Sequence, residues 1–224
     1  MNYQWNFSWV WNNSDILLNG LYITFQITFL AFFFGYILSL FFFYLKTSHS
    51  KILKWFAISI IEITRDIPLL VLLVWMYFVL PILFPTIRIP AYWLCIIGLS
   101  LNFAGFQAEI IRAGYHSIPQ NQIDVAKSFG FSRKAIFLKI ILPQSFWKTI
   151  APTIGQLINT LKLSSLASFI TVPELFYTTS ALIQDTFRPL EFYSSMAVLY
   201  LVIILPISIS MQLIEKKLTI KYNA

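Results

Sequence analysis

The sequence predicts an all-α integral membrane protein of five transmembrane helices, on three observations. Of its 224 residues, 58% are hydrophobic and only 11% charged, whereas a soluble domain is nearer one-quarter charged. Five apolar stretches are each long enough for a membrane crossing, which takes about 20 helical residues. Lysine and arginine fall mainly on alternate connections between those stretches, the pattern that sets membrane orientation.

Residues 1–20 are aromatic and polar with no basic run, so they read as an exposed, periplasmic N-terminal segment rather than a cleaved signal peptide. The first span is predicted over 21–45, after Gly20 and before Lys46. The second covers 55–80 and stops at Pro81, where "PILFPTIRIP" cannot remain helical. The third, 91–111, ends at Arg112. The fourth, 149–172, carries Pro152 near its start and stops at Pro173. The fifth, 192–214, contains Pro206, which membrane helices tolerate with a kink. Residues 21–217 form one membrane domain, with a long polar loop at 113–147 and a tail at 218–224.

One side of the membrane receives Lys46, Lys51, Lys54, Arg112, Lys127, Arg133, Lys134, Lys139, Lys148, Lys216, Lys217 and Lys221. The other receives only Arg88 and Arg188, together with the acidic Asp15, Glu174, Asp185 and Glu191. This asymmetry predicts the N-terminus outside and the C-terminus in the cytoplasm. It also accounts for the net charge of +7 without a nucleic-acid partner, because the basic residues lie between apolar stretches rather than in a stripe.

Other function classes find little support. No nucleophile–base arrangement or histidine cluster suggests a membrane-embedded enzyme; His49 and His116 are isolated, and Cys95 lies alone in an apolar run. None of the seven glycines precedes a lysine, so no phosphate-cradling G-x-x-x-x-G-K-[ST] loop is present. No cofactor or metal is expected. A secondary transporter or a channel subunit remains an alternative on composition.

The polar interval "PQNQIDVAKSFGFSRKAIFLKIILPQ", 119–144, reads as a helix, a glycine turn and a second helix. Asn121 is the expected N-cap, with Asp124 in the first turn; Gly130 follows the helix end near Phe129. Ser132 is the expected cap of the second helix, which Pro143 ends, and Ile136/Ile140 with Phe137/Ile141 form an apolar stripe. Such a pair suits either a groove on a partner protein or the lipid headgroup layer.

Two basic residues, Arg65 and Lys162, fall inside predicted spans. A charge at the bilayer centre costs roughly 3 kcal/mol and usually faces a partner or a cavity. Lys162 admits two readings: a structural pair with a carboxylate on another helix, or contact with a substrate carboxylate. Arg65, with Glu62 and Asp66 beside it, suits an interfacial cluster ahead of Pro68. Glu109 and Arg112 are expected to pair at i,i+3. Ser164, Ser165 and Ser168 offer hydroxyls or permit close packing.

The loop resembles the cytoplasmic "EAA" loop of ATP-binding-cassette (ABC) importer permeases, through Asp124-Val125-Ala126, Gly130 and Ile140-Ile141-Leu142-Pro143. "EITRDIPLLVLLVWMYFVLP" (62–81), "FQAEIIRAGYHSIPQNQ" (106–122), "ILPQSF" (141–146) and "LKLSSLASFITVPEL" (161–175) resemble further segments of the polar amino acid permeases, in their order. The resemblance implies the MetI-like permease fold in the bacterial inner membrane. It also implies a translocation path for a polar amino acid, of the glutamate, glutamine or basic class, worked by alternating access. A coupling helix of Asp124, Val125, Ala126, Gly130, Ile136, Leu142 and Pro143 would dock on an ATPase subunit, and Arg65, Lys162, Ser164 and Ser165 would line the path. The implied partners are two ATPase subunits, an identical or homologous permease, a substrate-binding protein and membrane lipid. The family's pattern is altered at Asp124, Val125 and Asn121, and Leu163 stands where an aspartate is expected.

Overall fold

The computed structural model describes residues 3–86 and 88–223, with side chains as far as Lys216. The side chains of Lys217 and Lys221, counted above on the basic side, therefore lie outside the described residues, as do those of the tail 218–224. All regular structure is helical: α1 (Ser8–Asn12), α2 (Ser14–Lys46), α3 (Lys51–Asp66), α4 (Leu69–Phe78), α5 (Leu80–Leu83), α6 (Ala91–His116), α7 (Gln120–Ser128), α8 (Arg133–Ile136), α9 (Leu142–Leu163), α10 (Leu175–Thr186) and α11 (Pro189–Asn223). A π-helical turn, Phe137–Ile141, joins α8 to α9, and a 3₁₀ stretch, Ser164–Ile170, follows α9.

Among the described residues three helices, α2, α6 and α11, are long and apolar enough to cross a membrane, and the number rises to five if each of two bent pairs counts as a span. Two of the spans expected from sequence are bent. The predicted 55–80 span breaks at Ile67–Pro68, where Lys51–Asp66 and Leu69–Leu83 meet at 99°. The cause is local: Pro68 disfavours helical backbone at Ile67, which is extended at ψ 124. The predicted 149–172 span starts earlier, at Leu142, and gives way to 3₁₀ structure at Ser164, then to a left-handed Thr171 (φ 63). The first span also starts earlier, because α2 passes straight through Gly20.

Packing gives the helix directions. Ile27 and Ala31 of α2 share a core with Cys95, Ile96 and Leu99, Phe42 packs with Ala104 and Ala108, and Lys46 pairs with Glu109. Numbers rise together, so α2 and α6 run the same way. Gln107 bonds Thr153, whereas Gly114 abuts Thr149, so α9 runs against α6. Leu69 and Leu73 join Leu163, Ala167 and Ile170 in the main core, and the Tyr77 hydroxyl lies 3.4 Å from Thr171 Oγ1. Helix α4 thus runs parallel to the 3₁₀ stretch. Lys46, Arg112, Lys148 and the loop gather at one end of the bundle; Arg188 and the N-terminal residues occupy the other.

Candidate functional site

The loop at the basic end forms a small folded unit. Helix α7 begins at Gln120 with Pro119 as its N-cap residue, two residues earlier than the expected Asn121. Proline fits there because the first turn has no partner for its missing N–H. Asn121 instead accepts the Gln122 N–H at 2.8 Å. At the other end the expectation holds: Gly130 adopts φ 79, donating its N–H to Lys127 O (2.9 Å), while Phe131 donates to Ala126 O (3.1 Å). These paired bonds make a Schellman cap, which needs the left-handed residue that glycine supplies. Ser132 then caps α8 by accepting the Ala135 N–H at 3.3 Å.

Pro143 does not end the second helix. It sits in the first turn of α9, and the π turn over Phe137–Ile141 carries the chain through without a break. A proline lacks the donor for the carbonyl one turn back and crowds it, so a widened turn relieves both problems. The helical hairpin is therefore continuous with the membrane helix α9.

Inward from this hairpin, Ile118, Ala126, Ile136 and Ile141 form their own core with Tyr115, Ile123 and Ile140. Gln144 donates to Gln122 Oε1 at 2.9 Å, fastening α7 to α9, and Lys148 donates to Ser117 O at 2.9 Å, fastening the end of α6 to α9. Ala126 and Ile136 thus hold the unit together, while Asp124, Val125, Gly130, Leu142 and Pro143 are exposed. Phe129, beside the glycine, is 78% exposed and Val125 56%, an apolar tip on a polar helix. Asp124 accepts bonds from Lys127 Nζ (2.9 Å) and Gln120 Nε2 (3.0 Å), and these two donors hold its carboxyl below the usual carboxylate range. Phe129 carries no motif signal; only its place before the glycine turn marks it.

The second constellation lies where the main core ends. Asn102 donates to Thr64 O at 3.2 Å, satisfying the carbonyl beside the α3–α4 break, and Gln107 donates to Thr153 Oγ1 at 2.8 Å. With Gln156, Thr160 and Ser164 these make a buried polar layer across α3, α6 and α9. Its open edge carries charge. Arg65 is exposed with its guanidinium 5.3 Å from the Phe106 ring centre, and Asp66 and Lys162 are exposed too. Helix α4, which follows the Arg65–Pro68 break, runs beside the 3₁₀ stretch that follows Lys162. Among the described residues no carboxylate pairs with Lys162, so the intrachain structural pair considered above is not formed. Lys162 stands roughly 20 Å along α9 from Lys148, on a face that no other part of the chain covers. The hydroxyls of Ser164 and Ser165 donate to Leu161 O (2.7 Å) and Lys162 O (2.8 Å), which leaves their lone pairs free to accept.

Comparison with known proteins draws on the whole chain. Residues 31–220 match the family described as binding-protein-dependent transport system inner membrane component. The chain is 30% identical over 217 residues to the probable glutamine ABC transporter permease protein GlnM of Bacillus subtilis, covering 97% of this chain and all of that protein. It is 32% identical over 206 residues to the L-cystine transport system permease protein TcyB of the same organism, covering 91% and 86%. A crystal structure of an amino acid ABC transporter with histidines superposes with a TM-score of 0.90 at 30% identity, over 96% of this chain and all of that one.

Proposed function

The chain belongs to the family of binding-protein-dependent transport system inner membrane components, and from that premise we propose how its residues divide the work of an importer. It is a membrane-spanning permease subunit of an ABC importer for amino acids, with ATP hydrolysis carried by a separate subunit.

The proposed orientation puts the basic end, with the α7–α8 hairpin, in the cytoplasm, as the lysine and arginine distribution favours. Five crossings do not enclose a path for a polar solute, so two permease subunits, identical or homologous, face each other across it. Two ATPase subunits take the hairpins, and a binding protein delivers substrate at the opposite end. The tip formed by Val125, Phe129 and the Gly130 turn enters a cleft on the ATPase, with Asp124 at its rim and Ala126 and Ile136 bracing it from within. Because the π turn keeps hairpin and α9 continuous, ATP-driven closure of the ATPase pair is delivered to the helix that carries Lys162. The bundles then rock between outward and inward access.

The observation that carries the path assignment is the exposed Lys162, which has no ion-pair partner among the described residues, in the same bundle as the exposed Arg65 and Asp66. An ammonium and a guanidinium beside a carboxylate match the two charges of an amino acid zwitterion. Ser165, half-buried beside Lys162, adds a hydrogen-bond acceptor, whereas Ser164 is fully buried and supports the path from behind. Pull-down of the solubilised permease with its ATPase subunit tests the coupling half: Phe129→Asp is expected to abolish association while the chain stays folded. Retained association and uptake would overturn it.

A further inference from the structure

The N-terminal segment is tied to the far end of the bundle by one carboxylate. Glu191, in the first turn of α11 and fully buried, accepts the Tyr3 hydroxyl and the Asn6 backbone N–H, the latter at 3.0 Å. Arg188 closes the same knot: its guanidinium lies 3.6 Å from Glu191, donates to Gln4 O at 3.2 Å and covers the Tyr3 ring. Burial of Glu191 is tolerable only because each oxygen is met by a donor or a cation.

Held this way, the segment presents an aromatic ring at every odd position from 3 to 11. Tyr3, Trp5, Phe7, Trp9 and Trp11 are all exposed, Trp11 to 76%, and Trp5 stacks on Phe7. The sequence has no charged residue before Asp15. Trp11 and Phe7 also roof a groove of about 450 Å³ between α2 and α11, walled by Leu18, Val198 and Leu199, with Ser194 and Ser195 at its edge. The groove continues onto the exposed apolar flanks of two helices that pass the length and hydropathy test for crossing a membrane.

Depth places these rings. Helix α2 has 33 residues, so it is about 50 Å long against a hydrocarbon core of roughly 30 Å. With Lys46 in one headgroup layer and the usual tilt of roughly 20°, the helix matches the full bilayer of roughly 40–45 Å, so its first turns and the aromatic segment stand at the opposite headgroup layer. Rings with an apolar body and a polar N–H or O–H favour that layer, and an uncharged surface has nothing to steer a soluble partner toward it.

We propose that residues 3–11 are an interfacial anchor that docks on the phospholipid headgroup layer and seats an acyl chain in the α2–α11 groove, with Glu191 as the tie that positions it. The proposal is independent of the transport reading.

The test is tryptophan fluorescence of the full chain in phosphatidylcholine vesicles brominated either near the headgroup or near the chain end. The signal of the anchor is the difference between the wild type and a variant with Trp5, Trp9 and Trp11 all changed to phenylalanine. Shallow bromines are expected to quench that difference signal at least about twofold more than deep ones. Glu191→Gln is expected to release the segment and raise its quenching by aqueous iodide. Equal quenching by both lipids, or strong iodide quenching of the wild type, would overturn the proposal. So would a signal that ignores bromine but responds to an added soluble binding protein, which would make the surface a protein dock.

Discussion

Lys46, the last residue of α2, forms an ion pair with Glu109 of α6, and Arg112 holds the second oxygen of the same carboxylate at 2.7 Å. One acid thus ties the ends of two parallel helices just above the α7–α8 hairpin. Its side chain is 20% exposed, so solvent weakens the attraction without removing it.

Changing Glu109 to glutamine leaves two cations facing a neutral amide. A loss of about 1–2 kcal/mol is expected, seen as a lower unfolding midpoint of the solubilised permease. Lys46→Gln should cost less, because Arg112 still satisfies the acid. The double variant should show coupling of at least about 0.5 kcal/mol; strict additivity would mean the pair does not stabilise the fold.

Gly130 separates backbone geometry from surface contact. A Cβ added there meets nothing within 4 Å, yet the residue holds φ 79. Gly130→Ala should therefore cost only the left-handed penalty, about 1–2 kcal/mol. Gly130→Asn, which tolerates that region, should cost less. Affinity for the ATPase subunit, by titration calorimetry or surface plasmon resonance, should fall in the order Gly, Asn, Ala. Equal affinity for all three would show that the Schellman turn does not set the docking geometry.

Gly20 illustrates a different demand. A Cβ at this position would strike Thr178 Oγ1 and approach Leu175 Cα to 3.1 Å, where α2 crosses α10. The same crossing is fixed by Leu175 N–H donating to Thr24 Oγ1 at 3.1 Å. Gly20→Ala is expected to destabilise by about 1–3 kcal/mol through overpacking. Thr178→Ala on that background should recover part of the loss by removing the flexible obstacle but not the backbone one. Thermal unfolding of the three variants decides the matter; no rescue would place the strain elsewhere.

How much of this was readable beforehand follows from the range of each interaction. Gly130 and Ser132 act within a turn of their own positions, so spacing revealed them. The α3–α4 break was half visible: Pro68 announced a change, but hydropathy is blind to direction and ran 55–80 together. Pro143 misled, because a proline in sequence gives the missing hydrogen bond and not the π turn that accommodates it. Glu109 was paired correctly with Arg112 at i,i+3, yet Lys46 comes from another helix and has no local signature. The same holds for Asn102 with Thr64 and for Tyr3 with Glu191. Lys162 stood out as costly wherever it faced, but only the assembled bundle reveals that no carboxylate of the described chain meets it.

That absence makes Lys162 unusually clean to test. A charge that pairs with nothing contributes no attraction to lose, so Lys162→Met should leave folding and ATPase association unchanged or slightly improved. If the ammonium meets the substrate carboxylate, uptake in proteoliposomes should fall at least about tenfold, equivalent to about 1.4 kcal/mol. Lys162→Arg keeps the charge with a different donor geometry and should retain an intermediate rate. Asp66, exposed at the α3–α4 break, provides the opposite control: if it holds the substrate ammonium, Asp66→Asn should impair uptake without lowering the unfolding midpoint. Normal uptake by Lys162→Met would remove this face of α9 from the path. A drop in stability of that variant would instead reveal a partner for the ammonium across the subunit interface.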